Sequence, residues 1–590
     1  MSAPRPGSGP APRLDPAEAF ARMTRDGDVV LARLDHFAAA TPDKTYLHYG
    51  EDGLRLSFAE VAARADRLGA GLAAMGVGKG DRVAVLTRNS LTAALAMFGI
   101  WRAGGVYAPI NFNLTGALLA YQLSDAGPKL LITDPAFLAT LEEVADAAAL
   151  PPILLHVPAP GDHDHDPAQR TASDRLPPIT PLAQVAAATG PAPAVDLGPF
   201  DSAAIIYTSG TTGPAKGVLL PHRWINQYTY GARVLTDAED VVYCDLPMYH
   251  VGGAFHLLGR AAWMGQTVGL WDRFSPSKFW DRIAEVGATS ATLLDVMIPR
   301  LMSVPPREDD RANTLSRMHM QPFNARHHAF ATRFGVDFVT VGFGQTESGS
   351  VFSGVIDEAP GGRLCPESHW RSLSKADYLA NARALGREVF DGREDLPKGL
   401  MGRPSDLYEV AVLDETDAPV PVGAVGQMCL RPRFPGMMLE GYINKPEATL
   451  KVLRNCWFHT GDAIRMIDAD RQLCVFVDRM GGYFRVRGEN VSSFEIETSM
   501  ARHPAVRACA AVPIPPAEGD EDDVAVFAEL EEGAQATEAD LHAHAAEVMP
   551  KYMRPRHIRI VDALPVTPTS KVEKYKLKAA LVAELAEGGA

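Results

Sequence analysis

Between Ser57 and Ile110 the hydrophobic period switches back and forth between helix and strand, and few folds accept that rhythm. Ser57-Phe-Ala-Glu60 has the form of a capping box, and Phe58, Val61, Ala65, Leu68 and Leu72 then recur every three or four residues until Gly76. That pattern predicts an amphipathic helix. Residues 82–87 follow as a short buried strand, 91–102 as a second helix, and 106–110 as a second strand after Gly104-Gly105. Such alternation predicts an α/β class with largely parallel strands. The Pro-rich, acidic stretch 158–199 is expected to be a surface excursion or flexible connector, and the polar stretch 357–398 to hold one helix near 375–385. From about Asp478 the rhythm changes. Residues 506–514, 524–530 and 557–562 predict short strands, and 494–502 and 537–549 predict helices, a compact α+β unit of about 110 residues. The expected organisation is a disordered leader over 1–20, a large lobe of layered β-sheets with helices over 21–478, and a small C-terminal lobe over 479–590.

The chain has 590 residues, long enough for about four domain-sized units or for one large lobe and a small one. Its 72 acidic against 57 basic side chains give a net charge of -15, which argues against a general affinity for nucleic acid. A small polyanion is still acceptable, if the positive charge is local. The six cysteines form no C-x-x-C pair and read as reduced core thiols of a cytoplasmic protein. The longest apolar run, 91–101, stops at Arg102, too short for a bilayer, and the N-terminus lacks the apolar stretch of a signal peptide. The histidines form no H-x-x-H or H-E-x-x-H pair that would suggest zinc.

The chemistry-bearing string is Tyr207-Thr-Ser-Gly-Thr-Thr-Gly-Pro-Ala-Lys-Gly-Val218, directly after the apolar run 203–206. Gly210, Gly213 and Gly217 let the backbone fold tightly and present successive N–H groups. Thr208, Ser209, Thr211 and Thr212 add hydroxyl donors, and Lys216 a cation, so together they would cradle a polyphosphate. The Walker pattern does not fit, because Ala215 stands five residues after Gly210 and Gly217 follows the lysine. Further on, Gly342-Phe-Gly-Gln-Thr-Glu347 offers an aromatic face in Phe343, a hydroxyl in Thr346 and a hard oxygen ligand for Mg²⁺ in Glu347. Gly76-Val-Gly78-Lys-Gly80 precedes a strand, the wrong context for a dinucleotide fingerprint.

With these two strings the chain resembles the adenylate-forming superfamily of acyl- and aryl-CoA ligases, luciferases and peptide-synthetase adenylation domains. Trp457-Phe-His-Thr-Gly-Asp462, the hinge text Asp478-Arg-Met-Gly-Gly-Tyr-Phe-Arg-Val-Arg-Gly488 and Pro565-Val-Thr-Pro-Thr-Ser-Lys571 resemble its later signatures, in order, over about residues 40–580. The resemblance implies an ATP-dependent acid–CoA ligase that makes an acyl-adenylate, then an acyl-CoA, releasing pyrophosphate and AMP. It implies that Thr208, Ser209, Gly210, Thr211, Thr212, Gly213 and Lys216 grip the ATP phosphates, and that Phe343, Gly344, Gln345 and Thr346 hold the nucleotide. Asp462 and Arg479 would take the ribose. Lys571, Glu347 (with Mg²⁺) and Thr208 would be catalytic. His250 and Gly252, in Leu246-Pro-Met-Tyr-His-Val-Gly-Gly253, would shape the acyl pocket, although His250 also reads as a packed core histidine. Gly481, Gly482, Arg487 and Gly488 would form the hinge and coenzyme A face of a mobile small lobe, with Ser492 and Glu495 as a capping box. Lys574 and Lys576 fit a solvated helix.

Several positions depart from the family pattern. Ala215 replaces the proline before the lysine, Gly482 replaces the hinge aspartate, Ser570 replaces a glycine, and His319-Met-Gln-Pro322 stands where relatives place a Gly-Gly-Ala-Pro-like turn against adenine. The hinge text and the Lys571 register look most like the fatty-acid and carnitine-type CoA ligases, which leans the substrate to an aliphatic acid. Loading of a carrier-protein thiol, and a degenerate member that binds nucleotide or acyl ligand without turnover, are the alternatives. A homodimer is left open.

Overall fold

The computed structural model describes residues 12–190, 193–208, 215–294, 297–321, 323–480, 483–486, 489–515, 522–549, 551–566 and 572–587. The rhythm of the first hundred residues becomes alternating helix and parallel strand. Phe58–Ala74 is a helix whose Ser57 and Glu60 close the expected capping box. Arg82–Leu86 and Val106–Pro109 pair in parallel. Between them runs Ser90–Arg102, buried on nearly every face, with Asn89 accepting from the Thr92 N–H as its cap. The two helices approach closely where their small residues meet. A Cβ on Gly99 would lie 2.6 Å from the Leu68 side chain, and one on Gly69 would lie 2.7 Å from Arg102. A larger residue at either place forces the helices apart.

Among the described residues, two large sheets carry the N-terminal part. An eight-stranded sheet runs in the order Gly441–Tyr442, Lys216–Pro221, Ser202–Thr208, Val106–Pro109, Arg82–Leu86, Leu130–Thr133, Ile153–Leu155, Ile179–Pro181. It is parallel from Ser202–Thr208 onward and antiparallel at its Lys216 end. The second sheet is fourteen-stranded, and its parallel centre holds Val241–Cys244, Ser290–Leu294, Arg317–Gln321 and Phe338–Gln345. One core cluster is shared between the sheets and the helices they enclose. Trp101, in that core, donates its indole N–H to the Ala203 carbonyl at 2.8 Å.

The expected connector at 158–199 is more ordered than its composition suggested. Ile179–Pro181 is an edge strand of the eight-stranded sheet, and His163 bonds Asp52 and Asp272 at 3.1 and 2.9 Å. Backbone pairing and those side-chain bonds outweigh the local Pro and Gly content. The helix expected near 375–385 is Lys375–Ala384, capped by Ser374. Cys456 corrects the reading of core thiols, since it is exposed, although all six cysteines are free. No described helix is long and apolar enough to cross a membrane.

In the C-terminal part, Val506–Ile514, Asp523–Leu530 and His557–Val561 form a sheet with Ser493–Met500, Glu538–Val548 and Lys574–Glu587 as helices. Side chains alternate across Asp523–Leu530. Val524, Val526 and Ala528 join Ile496, Met500 and Leu541 on one face, while Ala525 and Phe527 join Leu577 and Leu581 on the other. A strand buried on both faces accounts for its near-continuous apolar text. This core shares no residue with the large N-terminal one.

Candidate functional site

The strand Ser202–Thr208 ends where the threonine-rich loop begins, and Lys216–Pro221 returns beside it with Thr208 opposite Lys216. Ser209, Gly210, Thr211, Thr212 and Gly213 lie outside the described residues. The loop's two stems are held firmly. Tyr207 Oη donates to Asp125 Oδ2 at 3.0 Å, Tyr121 Oη donates to the Ala215 carbonyl at 2.7 Å, and Ile443 N–H donates to the Gly217 carbonyl at 2.9 Å. Burial, then the Asp125 carboxylate, holds the Tyr207 phenol protonated and donating. At Gly217 a Cβ would meet Ile443 at 2.8 Å, so the third glycine of the string is fixed by packing.

Lys216 and Glu347 meet through a residue the sequence reading missed. Lys216 Nζ lies 4.8 Å from the centre of the Tyr442 ring, and Tyr442 Oη donates to Glu347 Oε1 at 2.9 Å. Burial, followed by that carboxylate, pushes the Tyr442 phenol well above its ordinary range, which keeps it a donor. Glu347 sits in the turn between Phe338–Gln345 and Gly349–Asp357, and its backbone carbonyl accepts from Leu439 N–H at 2.8 Å. Tyr442 belongs to the eight-stranded sheet and Glu347 to a turn between two strands of the fourteen-stranded one, so their hydrogen bond links the two sheets. Nothing in Leu439-Glu-Gly-Tyr442 marks the tyrosine, because its role exists only through the sheet pairing of Tyr442 with Val218.

Gln345 Nε2 donates to the Thr460 carbonyl at 3.1 Å and also to Asp462 Oδ2. Asp462 is almost fully buried and faces Arg479 across the antiparallel strands Phe458–Asp468 and Leu473–Arg479, with Arg479 Nε 3.6 Å from Oδ1. Arg479 itself is about half exposed, at 46%. Asp462 thus joins Gln345 by a hydrogen bond and Arg479 by an ion pair, and Gln345 is two residues from Glu347. Phe343 and Gly344 lie on the same strand; Phe343 is partly exposed and stands edge-on to Phe352, and Thr346 follows in the turn.

The acyl-pocket string leads into an unusually wide helical turn, Gly252–Gly259, with a π-type pattern. His250 is partly exposed and packs on the Tyr249 ring at 4.5 Å, so it borders open space. His319 is in the strand Arg317–Gln321 and not in a turn, in register with Thr340 of Phe338–Gln345. Its Nδ1 is 3.0 Å from Thr340 Oγ1 and its Nε2 is 3.1 Å from Gln321 Oε1. Pro322 lies outside the described residues.

At the junction of the two parts, Tyr483–Val486 and Glu489–Ser492 form a hairpin. Gly481, Gly482, Arg487 and Gly488 lie outside the described residues, as does Lys571, and the Ser492 and Glu495 side chains with them. The first helix of the small part takes its cap from Asp478, whose Oδ2 accepts from the Phe494 N–H at 3.1 Å and from Ser493 Oγ at 2.6 Å. Lys574 corrects the reading of a solvated lysine. Its Nζ pairs with Glu497 at 2.8 Å and donates to Ser493 Oγ, so it is held inside the small part. Lys576 is exposed and pairs with Glu573.

Lys216, Tyr442 and Glu347 thus lie together, with Gln345 close by on the strand that leads to Glu347 and with Asp462 and Arg479 on two paired strands of the same sheet. The AMP-binding enzyme model matches residues 34–443, and the AMP-binding enzyme C-terminal domain model matches 495–571. The chain belongs to the AMP-binding, adenylate-forming family. It is 30% identical to a sulfoacetate–CoA ligase of Cupriavidus necator over 569 residues, 93% of this chain and 97% of the relative. It is 29% identical to a crotonobetaine/carnitine–CoA ligase of Salmonella typhimurium over 554 residues, 92% and 98% of the two chains. The crystal structure of ATP-bound MatB from Rhodopseudomonas palustris superposes with a TM-score of 0.74 at 25% identity, over 94% of this chain and 99% of that one. As a member of this family the chain is an AMP-forming acid–CoA ligase, with ATP and coenzyme A as co-substrates.

Proposed function

We propose that this acid–CoA ligase activates a compact aliphatic carboxylic acid, with the residues described above dividing the work. The observation that carries the assignment is the convergence of Lys216, Tyr442 and Glu347 beside the Gln345–Asp462–Arg479 group. We assign Thr208, Lys216 and the string 209–213 to the phosphates. Asp462 accepts from the ribose hydroxyls, Arg479 donates to the sugar, and Phe343 covers the base. Two relatives named for compact aliphatic acids, sulfoacetate and carnitine, support the substrate class.

In the first half-reaction a carboxylate oxygen attacks the α-phosphorus of ATP and pyrophosphate leaves. The barrier is repulsion among anions, and preorganised positive charge lowers it. Glu347 suits Mg²⁺: Oε1 is held by Tyr442, Oε2 accepts no hydrogen bond among the described residues, and Mg²⁺ binds through one or two carboxylates plus phosphates. When bound, Mg²⁺ would offset charge on the phosphate oxygens. In the second half-reaction the coenzyme A thiolate attacks the acyl carbonyl and AMP leaves. We assign Lys571 to the first step, and a division near Asp478 to the swing of the small lobe between steps.

Pyrophosphate and AMP release measured over a panel of acids, with and without coenzyme A, tests the reading. Acid-dependent pyrophosphate with coenzyme A-dependent AMP and thioester is expected; release without thioester would favour a carrier-protein acceptor. Lys571→Ala should lose adenylation by on the order of 10²-fold or more and still convert preformed acyl-adenylate to thioester. Equal loss of both half-reactions removes Lys571 from that role.

A further inference from the structure

Around the acyl end of the site the polar groups are too many for an alkyl chain. His319 hydrogen-bonds Thr340 and Gln321, the His256 ring is 5.5 Å from the His319 ring, and the Tyr228 ring is 5.6 Å from His256. Tyr228, His256, His319, Gln321 and Thr340 each keep a partly exposed surface, although protein surrounds both histidines deeply enough to depress their basicity strongly. They therefore line a recess. Gln321 ends the parallel strand Arg317–Gln321, and open α/β sheets place their ligands beyond such strand ends.

Two buried arginines lie within electrostatic reach of this layer, and neither forms an ion pair among the described residues. Arg260 is 6% exposed, donates from Nη2 to Ser290 Oγ at 3.3 Å, and has no partner at Nε. The carboxylate it senses most, Asp240, is already engaged by Arg317, Thr289 and Ser372. Arg387 is 9% exposed and crosses the helix His222–Arg233 at Gly231, where a Cβ would lie 2.2 Å from its Nη2. The ionisable groups it senses are the phenols of Tyr378 and Tyr230. Burial lowers both guanidinium groups only to about 10, so both are charged at neutral pH. Both arginines also act on His256 and His319, which makes their field part of the recess and keeps the imidazoles neutral. Buried cations without counter-ions are costly, and a site that keeps two of them is built for an anion that arrives with the ligand.

We propose that the recess bounded by His256, His319 and Tyr228, with Arg260 and Arg387 within electrostatic reach, takes a second anionic group of the acid substrate. The ligase then acts on a short dianionic acid, such as a dicarboxylate. This rests on the acid–CoA ligase reading and narrows it. The His256 imidazole N–H and the Tyr228 hydroxyl give the hydrogen bonds, His319 is held by Thr340 and Gln321 as a polar wall, and the arginines give the field. A plain alkyl terminus would strand these polar groups, and a trimethylammonium terminus would meet like charge. Sites built to pair a polar group reject isosteres that lack it far more strongly than apolar pockets reject one methylene.

The test compares succinate and glutarate with butyrate and valerate, scored by AMP and thioester formation, and separately by thermal shift with a non-hydrolysable ATP analogue. The dianions should exceed the matched monoanions in kcat/KM by on the order of 10²-fold. Arg387→Met should cut that ratio at least tenfold and Arg387→Lys should largely retain it, with His319→Leu as an independent variant should Arg387→Met not fold. Equal or greater activity on butyrate and valerate, or an unchanged ratio in folded Arg387→Met and His319→Leu, overturns the proposal and leaves the ligase reading standing. Selective stabilisation by the dianions with no turnover on any acid keeps the recess and overturns the ligase reading instead.

Discussion

Tyr442 shows how one side chain can join parts that sequence reading keeps separate. Its hydroxyl orients the Glu347 carboxylate, and its ring lies under Lys216. A hydrogen bond to a charged group contributes about 1.5–3 kcal/mol. Tyr442→Phe keeps the ring and loses only the bond, so kcat/KM for ATP should drop about tenfold or more, most at low Mg²⁺, with an unchanged melting curve; pyrophosphate exchange against Mg²⁺ concentration reads it. A second residue-scale prediction concerns pH. Asp134 is buried with Oδ1 unpartnered, while Oδ2 accepts from Thr87 Oγ1 at 2.6 Å and from the Arg88 N–H. Burial pushes its carboxyl up to about 7. The folded state thus holds this proton more tightly than the unfolded chain, whose carboxyl titrates near 3.8. Its contribution is most favourable below about pH 4 and is lost as pH rises to about 7. Asp134→Asn should therefore gain stability relative to wild type between pH 5 and pH 8, by about 2 kcal/mol in denaturant titrations. A constant difference between those pH values counts against the assignment.

At the scale of elements, local signals were read well where they were self-contained. The Ser57–Glu60 capping box and the 3.6-residue period gave Phe58–Ala74, because both partners of each interaction lie within a few residues. The helix at Ser493 is different: Asp478, fifteen residues before Ser493, supplies the described cap through a strand and a hairpin. Loss of an N-cap costs about 0.5–2 kcal/mol, so Asp478→Ala should loosen Ser493–Met500 by that amount, with Asp478→Asn recovering part of it. Amide exchange on residues 494–500 is the measurement, and unchanged protection there would contradict it. The stretch 158–199 is largely the surface excursion its composition suggests, and the one described strand the reading missed in it, Ile179–Pro181, is specified by an edge elsewhere in the sheet.

At the scale of the whole molecule, the described residues show where the two parts meet. Phe494 stands edge-on to Phe476 at 6.0 Å with Lys398 over its ring at 5.2 Å, and Asp478 reaches Ser493 across the junction. The separate hydrophobic cores on either side suit a small part that turns as a unit. Replacing Gly481 and Gly482 by prolines should slow thioester formation at least tenfold more than adenylation in single-turnover assays, since proline fixes the backbone where a pivot needs freedom. A larger loss in adenylation would place the pivot elsewhere.

The sequence by itself determined the α/β class and the order of the motifs, because these depend on short-range periodicity and on strings of adjacent residues. It flagged His319 as a departure without saying what the departure does. Only the tertiary structure decided that His319 lies on a strand beside His256, that Arg260 and Arg387 act on both and form no ion pair among the described residues, and that Tyr442 joins Glu347 to Lys216. Those neighbours come from distant segments brought together by sheet order, and sheet order is set by the packing of many elements at once, which no local pattern encodes.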